Sequence, residues 1–372
     1  MPEDYDPTRS RQIPIHGDDD VVTVDTRRQR ATAAGAGGEP PRSRRAAEAP
    51  RRRKRHPVRN TLIVLLVILV AWVGAIAWAA NSAWGHVVKI PAEPTSSNRP
   101  AAGSGKNYLL VGSDSRAGLS KAQRKALSTG YAAGARTDTI MLLHLPGNGQ
   151  KPTLVSLPRD SYVPIPGHGR NKINASYSFG GAKLLMDTVE QVSGLRMDGY
   201  IEIGFGGFAS VVDTVGGVNI CVKHNMNDKK AGINLKAGCQ DLNGQNALGY
   251  VRARYSDPLG DLGRVQRQRQ FLGALMKKGA TPANVLLPWR LNAFGSSVAS
   301  SLTVDENDSM IEVGKALLAL RSISQGNGQS ITMPISNPNL QTAAGSAVKW
   351  DSTKALALFK ALKNDDPLTV QP

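Results

Sequence analysis

Residues Thr61–Ala80, TLIVLLVILVAWVGAIAWAA, form an unbroken run of 20 residues without a charge, and nothing else in the chain restricts its possible folds so strongly. A helix of that length reaches about 30 Å, the thickness of a bilayer's hydrocarbon core. It has no polar face to turn toward water, so it does not suit a half-exposed helix of a soluble domain. The run predicts one membrane span and divides the chain in two. Before it lies RRRKRHPVR (Arg51–Arg59) and after it NSAWGHVVKIPAEP, which is poor in cations. The positive-inside bias therefore places the N-terminus in the cytoplasm and everything from about residue 81 outside, a single-pass type II arrangement with Trp78 and Trp84 at the outer interface. A cleaved signal peptide competes, because Ala75, Ala77 and Ala79 offer small-residue sites. The length of the run and of the region preceding it argue against that reading.

Residues 1–58 are rich in Arg, Ala, Gly, Pro and Asp without apolar periodicity, and predict a disordered basic cytoplasmic tail. The net charge is +17, yet residues 1–60 hold only 14 Lys/Arg against 9 Asp/Glu, so most of the basicity lies beyond the tail. Polyanion binding by the tail would be weak and unspecific, and no aromatic residues interleave with its basic patch. No nucleic-acid partner is expected. Residues 81–104, with several Pro, Ser and Gly, read as an extracytoplasmic linker holding the next domain off the membrane. Residues 105–372 are long enough for one large domain with its own core. The two cysteines, Cys221 and Cys239, both fall in the oxidising exterior, where a disulfide between them is the expectation; two free thiols are the alternative.

Short apolar runs bounded by turn residues predict strands at 108–112, 139–145, 153–157, 200–203, 218–222 and 331–335. Helices are expected at 182–192, 205–215, 245–254, 262–278, 310–321 and 352–362, the last with Asp351 as N-cap. The alternation indicates an α/β domain whose sheet is covered on both faces.

Three loops end strands with an Arg and an Asp close together: Gly112-Ser-Asp-Ser-Arg116, Arg136-Thr-Asp138 and Pro158-Arg-Asp160. Taken singly, each is more often a structural ion pair than a site. A fourth segment, VRARYSDPLGDLGRVQRQRQ (Val251–Gln270), adds Arg252, Arg254 and Arg264 with Asp261. The arginines outnumber these acids, so a polyanion such as pyrophosphate would complete the balance, and arginine forks bind phosphate oxygens bidentately. Carboxylates in the same place suit Mg²⁺, a hard cation that shares phosphate oxygens. The set matches phosphoryl transfer, where positioning and charge neutralisation dominate. On the helix from residue 262, Asp261, Arg264 and Gln268 share one face, while Leu272, Leu275 and Met276 turn to the core. Arg267 and Arg269 lie off that face and are expected at the surface. No zinc-protease, serine-hydrolase or P-loop pattern occurs.

VGSDSR, RTDTIML, SLPRDSYV, KINASYSFGG, DLNGQNALGYVRARY and DPLGDLGRVQRQRQF, in that order, strongly resemble the LytR-CpsA-Psr family of cell-wall glycopolymer transferases over roughly residues 107–275. The resemblance implies a mixed central β-sheet sandwiched between α-helices, with an apolar cavity for a polyprenyl chain. It implies transfer of an anionic glycopolymer of the teichoic acid, arabinogalactan or capsule class from a polyprenyl-pyrophosphate carrier to a peptidoglycan acceptor, through a phosphodiester. By the same likeness Asp114 and Asp138 resemble the Mg²⁺ ligands, with Mn²⁺ expected to substitute. Arg136, Arg159, Arg252 and Arg254 resemble the pyrophosphate clamp, and Asp261, Arg264 and Gln268 the remaining site residues. Arg116 and Lys172 are expected to add phosphate contacts, and Asp160 or Asp261 is the candidate base. Two alternatives stay open: a polyprenyl-pyrophosphate phosphatase using water at the same site, and a membrane-bound transcriptional attenuator.

Overall fold

The computed structural model describes residues 56–115, 119–129, 136–253, 260–279 and 281–368. In chain order the first half holds α1 (Pro57–Trp84), β1 (Val88–Ile90), β2 (Lys106–Ser113), α2 (Lys121–Ala126), β3 (Thr137–Leu145), β4 (Thr153–Leu157), β5 (Tyr162–Ile165), β6 (Gly169–Lys172), α3 (Ile173–Ser193) and β7 (Gly199–Ile203). Then come α4 (Phe205–Thr214), β8 (Val218–Val222), β9 (Met226–Asp228), β10 (Ile233–Leu235), β11 (Gly238–Leu242), α5 (Gly244–Arg252) and α6 (Gly260–Gly279). The C-terminal part adds α7 (Pro282–Leu286), α8 (Pro288–Ala299), β12 (Leu302–Asp305), α9 (Met310–Ser324), β13 (Gln329–Thr332), β14 (Ile335–Thr342), β15 (Gly345–Trp350) and α10 (Ser352–Lys363).

A seven-stranded mixed sheet runs β1-β12-β7-β2-β3-β4-β13. The central strands alternate with period two, which lets one sheet serve two cores. Leu109, Val111, Ile140, Leu142, Val155 and Tyr200 pack beneath α3 and α10, meeting Leu185, Met186, Leu358 and Phe359. Tyr108, Met141, Leu143, Leu154 and Ile201 point the other way, to Val313, Ala316 and Leu320 of α9 and to Leu272 of α6. The result is helix, sheet and helix in three layers, as the alternation predicted. A third cluster joins α4, α5 and α6 to the β8–β11 hairpins through Val212, Ile220, Leu242, Tyr250 and Phe271. Cys221 and Cys239 are opposite one another on β8 and β11 and are joined as a disulfide.

Several boundaries differ from the sequence reading. The expected linker, 81–104, is built into the domain: β1 pairs in parallel with β12, and the N–H groups of buried Ala92 and of Glu93 donate to Asp305 at 2.7 and 2.8 Å. Arg99 then clamps Glu190 at 2.7 Å and donates to Met197 O at 3.0 Å. Its Pro and Ser content imitated a tether because β1 is only three residues long. The strand expected at 331–335 is two strands, because Pro334 cannot extend the ladder; β13 ends at Thr332 and Ile335 opens the β14–β15 hairpin. The helix expected from 182 starts at Ile173 and bends at Gly180–Gly181, where Gly181 has φ 64°. The predicted span is longer than its apolar run: α1 is long and apolar enough to cross a membrane, and its last turns, around buried Ala79 and Ala83, pack along α8.

Candidate functional site

The charged loops converge at one end of the sheet. Ser113 closes β2, and its cross-strand partner Thr137 opens β3, so Asp114 and Asp138 flank the same rung. Asp114 N–H donates to Arg136 O at 2.7 Å, and Arg136 N–H donates back to Asp114 Oδ1 at 2.5 Å. Beyond β4, the Pro158-Arg159-Asp160 turn is fixed through its backbone: Asn174 N–H donates to Arg159 O and Ile173 N–H to Ser161 O, at 3.1 and 2.8 Å. On its other side Val348 N–H donates to Asp160 O at 2.8 Å, and Trp350 Nε1–H to Ser161 Oγ at 2.7 Å. A turn so tied leaves only its two charged side chains to aim.

Arg159 pairs with Asp138 and reaches Asp160 at 3.3 Å, while Lys172, at the end of β6, meets Asp160 from the other side at 3.2 Å. Burial pushes the Asp160 carboxyl up, but the charges of Arg159, Lys172 and Arg264 together outweigh it and hold the group below its ordinary value. Arg264, on α6, is 4% exposed. The structure thus unites Asp138, Arg159, Asp160, Lys172 and Arg264 from four separate sequence segments. Arg252 stands over the Phe205 ring at 4.5 Å and donates to Leu127 O and Ser128 O at 3.3 and 3.4 Å. Its position depends on α5, which packs so closely that a Cβ at Gly249 would lie 2.8 Å from Ala231 O.

Beneath these charges a cavity of about 180 Å³ opens between the sheet and α4, α5, α6 and α9. Leu110, Ile203, Phe208, Phe271, Leu272 and Leu320 make its walls apolar, while Asp138, Arg252 and Gln268 are polar residues on its lining. Gln268 is steadied by donating to Val251 O at 3.3 Å.

Other expected site residues are placed differently. Arg116 and Arg254 lie outside the described residues, as does the side chain of Asp261. Arg136 is exposed, and the contacts it makes to Asp114 are through its main chain. Arg267, expected at the surface, is 6% exposed and caps the end of α5 by donating to Tyr250 O at 3.1 Å and to Ala253 O. Arg269 ties α6 to β13, donating to Ser330 O at 2.7 Å and Thr332 Oγ1 at 3.1 Å. Helix phase alone assigned both to solvent, because it ignores carbonyls offered by neighbouring elements.

The sequence reading also missed a buried polar network behind Asp114. Glu202, 6% exposed on β7, accepts from Tyr177 Oη at 2.9 Å and Tyr200 Oη at 2.6 Å. Burial, and then the Glu202 charge, push both phenols well above their usual range. Ser113, the residue before Asp114, opposes part of the Tyr177 shift. An acid within the apolar strand GYIEI was the signal, since a buried carboxylate requires partners.

Among the described residues no group of three or more His, Cys, Asp or Glu gathers as a metal cage. Asp114 and Asp138, two carboxylates at one sheet end beside the Arg159 and Lys172 cations, nonetheless fit Mg²⁺, which takes one or two carboxylates and completes its shell with water and phosphate oxygens.

Comparison with known proteins gives the same frame. The chain is 44% identical over 272 residues to the probable cell wall biosynthesis protein LcpB of Corynebacterium glutamicum, covering 73% of this chain and 64% of that protein. It is 38% identical over 173 residues to the polyisoprenyl-teichoic acid–peptidoglycan teichoic acid transferase TagU of Bacillus cereus, covering 46% of this chain and 56% of that one. It therefore spans less than two thirds of the length of these relatives. The crystal structure of B. subtilis TagV shares the fold at TM-score 0.57 and 24% identity, over 71% of this chain and 98% of that one. The model of the LytR_cpsA_psr family matches residues 80–364, which include the sheet, the charged cluster and the cavity, and the chain belongs to that family.

Proposed function

We propose that the chain is a phosphotransferase moving an anionic glycopolymer from a polyprenyl-pyrophosphate carrier onto peptidoglycan, with α1 anchoring it and the domain on the outer side of the membrane. One observation carries this reading: Arg252 and Asp138 line an apolar cavity, and Asp138 pairs with Arg159, which leads on to Asp160, Lys172 and Arg264, so one amphipathic ligand satisfies the charges and the cavity together. The prenyl chain lies along Phe208, Phe271 and Leu272, where burial of its methylenes supplies about 0.8 kcal/mol each. Arg159 and Arg252 hold the pyrophosphate oxygens, Arg159 exchanging an acid partner for phosphate.

The acceptor is a sugar hydroxyl of peptidoglycan, which attacks the sugar-linked phosphorus. A new O–P bond forms there as the bridging O–P bond breaks, and polyprenyl phosphate leaves with the bond electrons. The cations oppose the charge that builds on the leaving phosphate. Asp160 is the base that takes the hydroxyl proton; held anionic by Arg159, Lys172 and Arg264, it is ready to accept one. Asp114 and Asp138 would hold Mg²⁺, which supplies further charge neutralisation of the pyrophosphate when bound. The TagU resemblance favours a teichoic-acid-like polymer as the class of cargo.

Product analysis tests the proposal. The purified full chain in vesicles, given a synthetic polyprenyl-pyrophosphate-linked glycan and peptidoglycan, should yield glycan joined to peptidoglycan by a phosphodiester and an equal amount of polyprenyl phosphate. Free glycan phosphate without attachment would make it a hydrolase instead.

A further inference from the structure

A surface apart from the charged cluster carries apolar side chains that the domain does not cover. Val285, Leu286 and Trp289 are 46, 47 and 68% exposed on α7 and the start of α8. Single exposed apolar residues are ordinary, but three within five positions are not. Arg290 is the one charged residue between Thr281 and Leu302. The element is firmly held on its other sides: Thr214 Oγ1 and Ser297 Oγ are 2.6 Å apart, and Phe294 lies against Gly279 at the end of α6.

Two points fix how this element lies beside α1. A Cβ built at Gly295 would be 3.1 Å from the Cβ of Ala83, and Val88 is paired in register with Thr303. Residue order increases in both chains between the two points, so α8 and the end of α1 run side by side in the same direction. Trp289 lies six residues before Gly295, about 9 Å along a helix; Trp78 lies five before Ala83, about 7.5 Å. The two tryptophans therefore stand at one level, near the end of the apolar run Thr61–Ala80, and Trp78 is 64% exposed as well. Tryptophans at one level, with an arginine beside them, are the signature of a membrane–water interface, where the indoles sit at headgroup depth and a long cation reaches phosphate.

We propose that α7 and the first turns of α8 dip Val285, Leu286 and Trp289 into the bilayer interface beside α1. The domain is then seated on the lipid by two elements in place of a tether. Leu302, which follows α8, and Phe208 of α4, which packs on α8, both line the cavity, so the seat holds the cavity close to the leaflet that supplies its ligand. The occupant is lipid and not a second copy of the chain, because the patch continues the apolar surface of α1 at the same depth.

This inference rests on reading α1 as a membrane span, and the test separates the two. The full chain, with its disulfide left intact, is labelled with an environment-sensitive fluorophore at Leu286→Cys, at Val67→Cys within α1, or at exposed Lys360→Cys. Each form is reconstituted into phosphatidylcholine–phosphatidylglycerol vesicles carrying nitroxide lipids. The Leu286 label should emit blue-shifted and lose intensity to nitroxides near the headgroup. The Val67 label should respond best to deep nitroxides, and the Lys360 label only to aqueous iodide. A Leu286 label quenched by iodide like that at Lys360, while Val67 stays lipid-quenched, overturns the seat and leaves the span standing. A Leu286 label shielded from both quenchers means a protein–protein contact and also overturns it. Loss of lipid quenching at Val67 removes the span and the seat together.

Discussion

Replacing Arg267 by alanine tests whether the arginine-rich segment is built from the inside. Arg267 is 6% exposed, and its guanidinium donates to Tyr250 O and Ala253 O at the last turn of α5. Burial draws its pKa down, against the opposing influence of Tyr250 and Asp228, yet a guanidinium remains charged at any relevant pH. Hydrogen bonds from an ionised donor contribute about 1.5–3 kcal/mol each, and an abandoned carbonyl recovers part of that from water. The two together put the loss at roughly 3–5 kcal/mol. Urea unfolding of the detergent-solubilised chain would show it as a lower midpoint at unchanged slope. Arg267→Met, which restores volume but no donor, should recover less than half. Arg252 is seated on the turn that Arg267 caps, so the alanine variant should also bind pyrophosphate more weakly. Stability within about 0.5 kcal/mol of the parent, the range of an ordinary surface change, would refute the reasoning.

Further expectations concern the site and its supports. Arg159→Ala should slow transfer by tenfold or more, since a charge-assisted contact of about 1.5–3 kcal/mol is lost; a transfer assay with saturating carrier checks it. The same variant frees Asp160 from one of the three cations that lower its pKa, so the acid limb of the rate profile should move to higher pH. In the parent, stability from Asp160 is present above its unfolded value and disappears as pH falls through the lower folded one. Asp308 has the opposite sign: burial raises its carboxyl to about 6, so protonation favours the fold and its contribution is lost as pH rises from 4 to 6. Asp308→Asn should flatten thermal stability across that window. Glu202→Ala strands the hydroxyls of Tyr177 and Tyr200 and should cost about 2–5 kcal/mol by denaturant titration, with Glu202→Gln milder because one acceptor remains.

Much of the fold was legible because its core strands are short continuous apolar runs bounded by turn residues. TIMLLHL and TLVSL announce two buried faces, and β4 and β8 begin and end where the apolar runs do. What escaped was structure set by partners distant in sequence. Val88–Ile90 becomes a strand only because β12 lies beside it, more than 200 residues on. The β5–β6 and β9–β10 hairpins are too short for periodicity to register. At the site, Asp138, Arg159 and Asp160 were readable as charges at strand ends and Arg264 as part of an arginine-rich helical segment, whereas Lys172 was pointed to only by the family resemblance. Arg267 and Arg269 were misplaced because their partners are carbonyls, which leave no mark in a sequence. Glu202 could have been found from its position in an apolar strand, and its tyrosine partners only from the fold.

The central claim is that one ligand occupies the cavity and the charged cluster together. A polyprenyl pyrophosphate with a photoreactive group on an early isoprene unit tests this most directly, with mass spectrometry of the crosslinked peptides. The account predicts labelling of α4 and α6 at Phe208, Phe271 or Leu272, competed by unlabelled polyprenyl pyrophosphate and strongly reduced in Arg159→Ala. Labelling confined to α1, or labelling indifferent to the arginine, would contradict it.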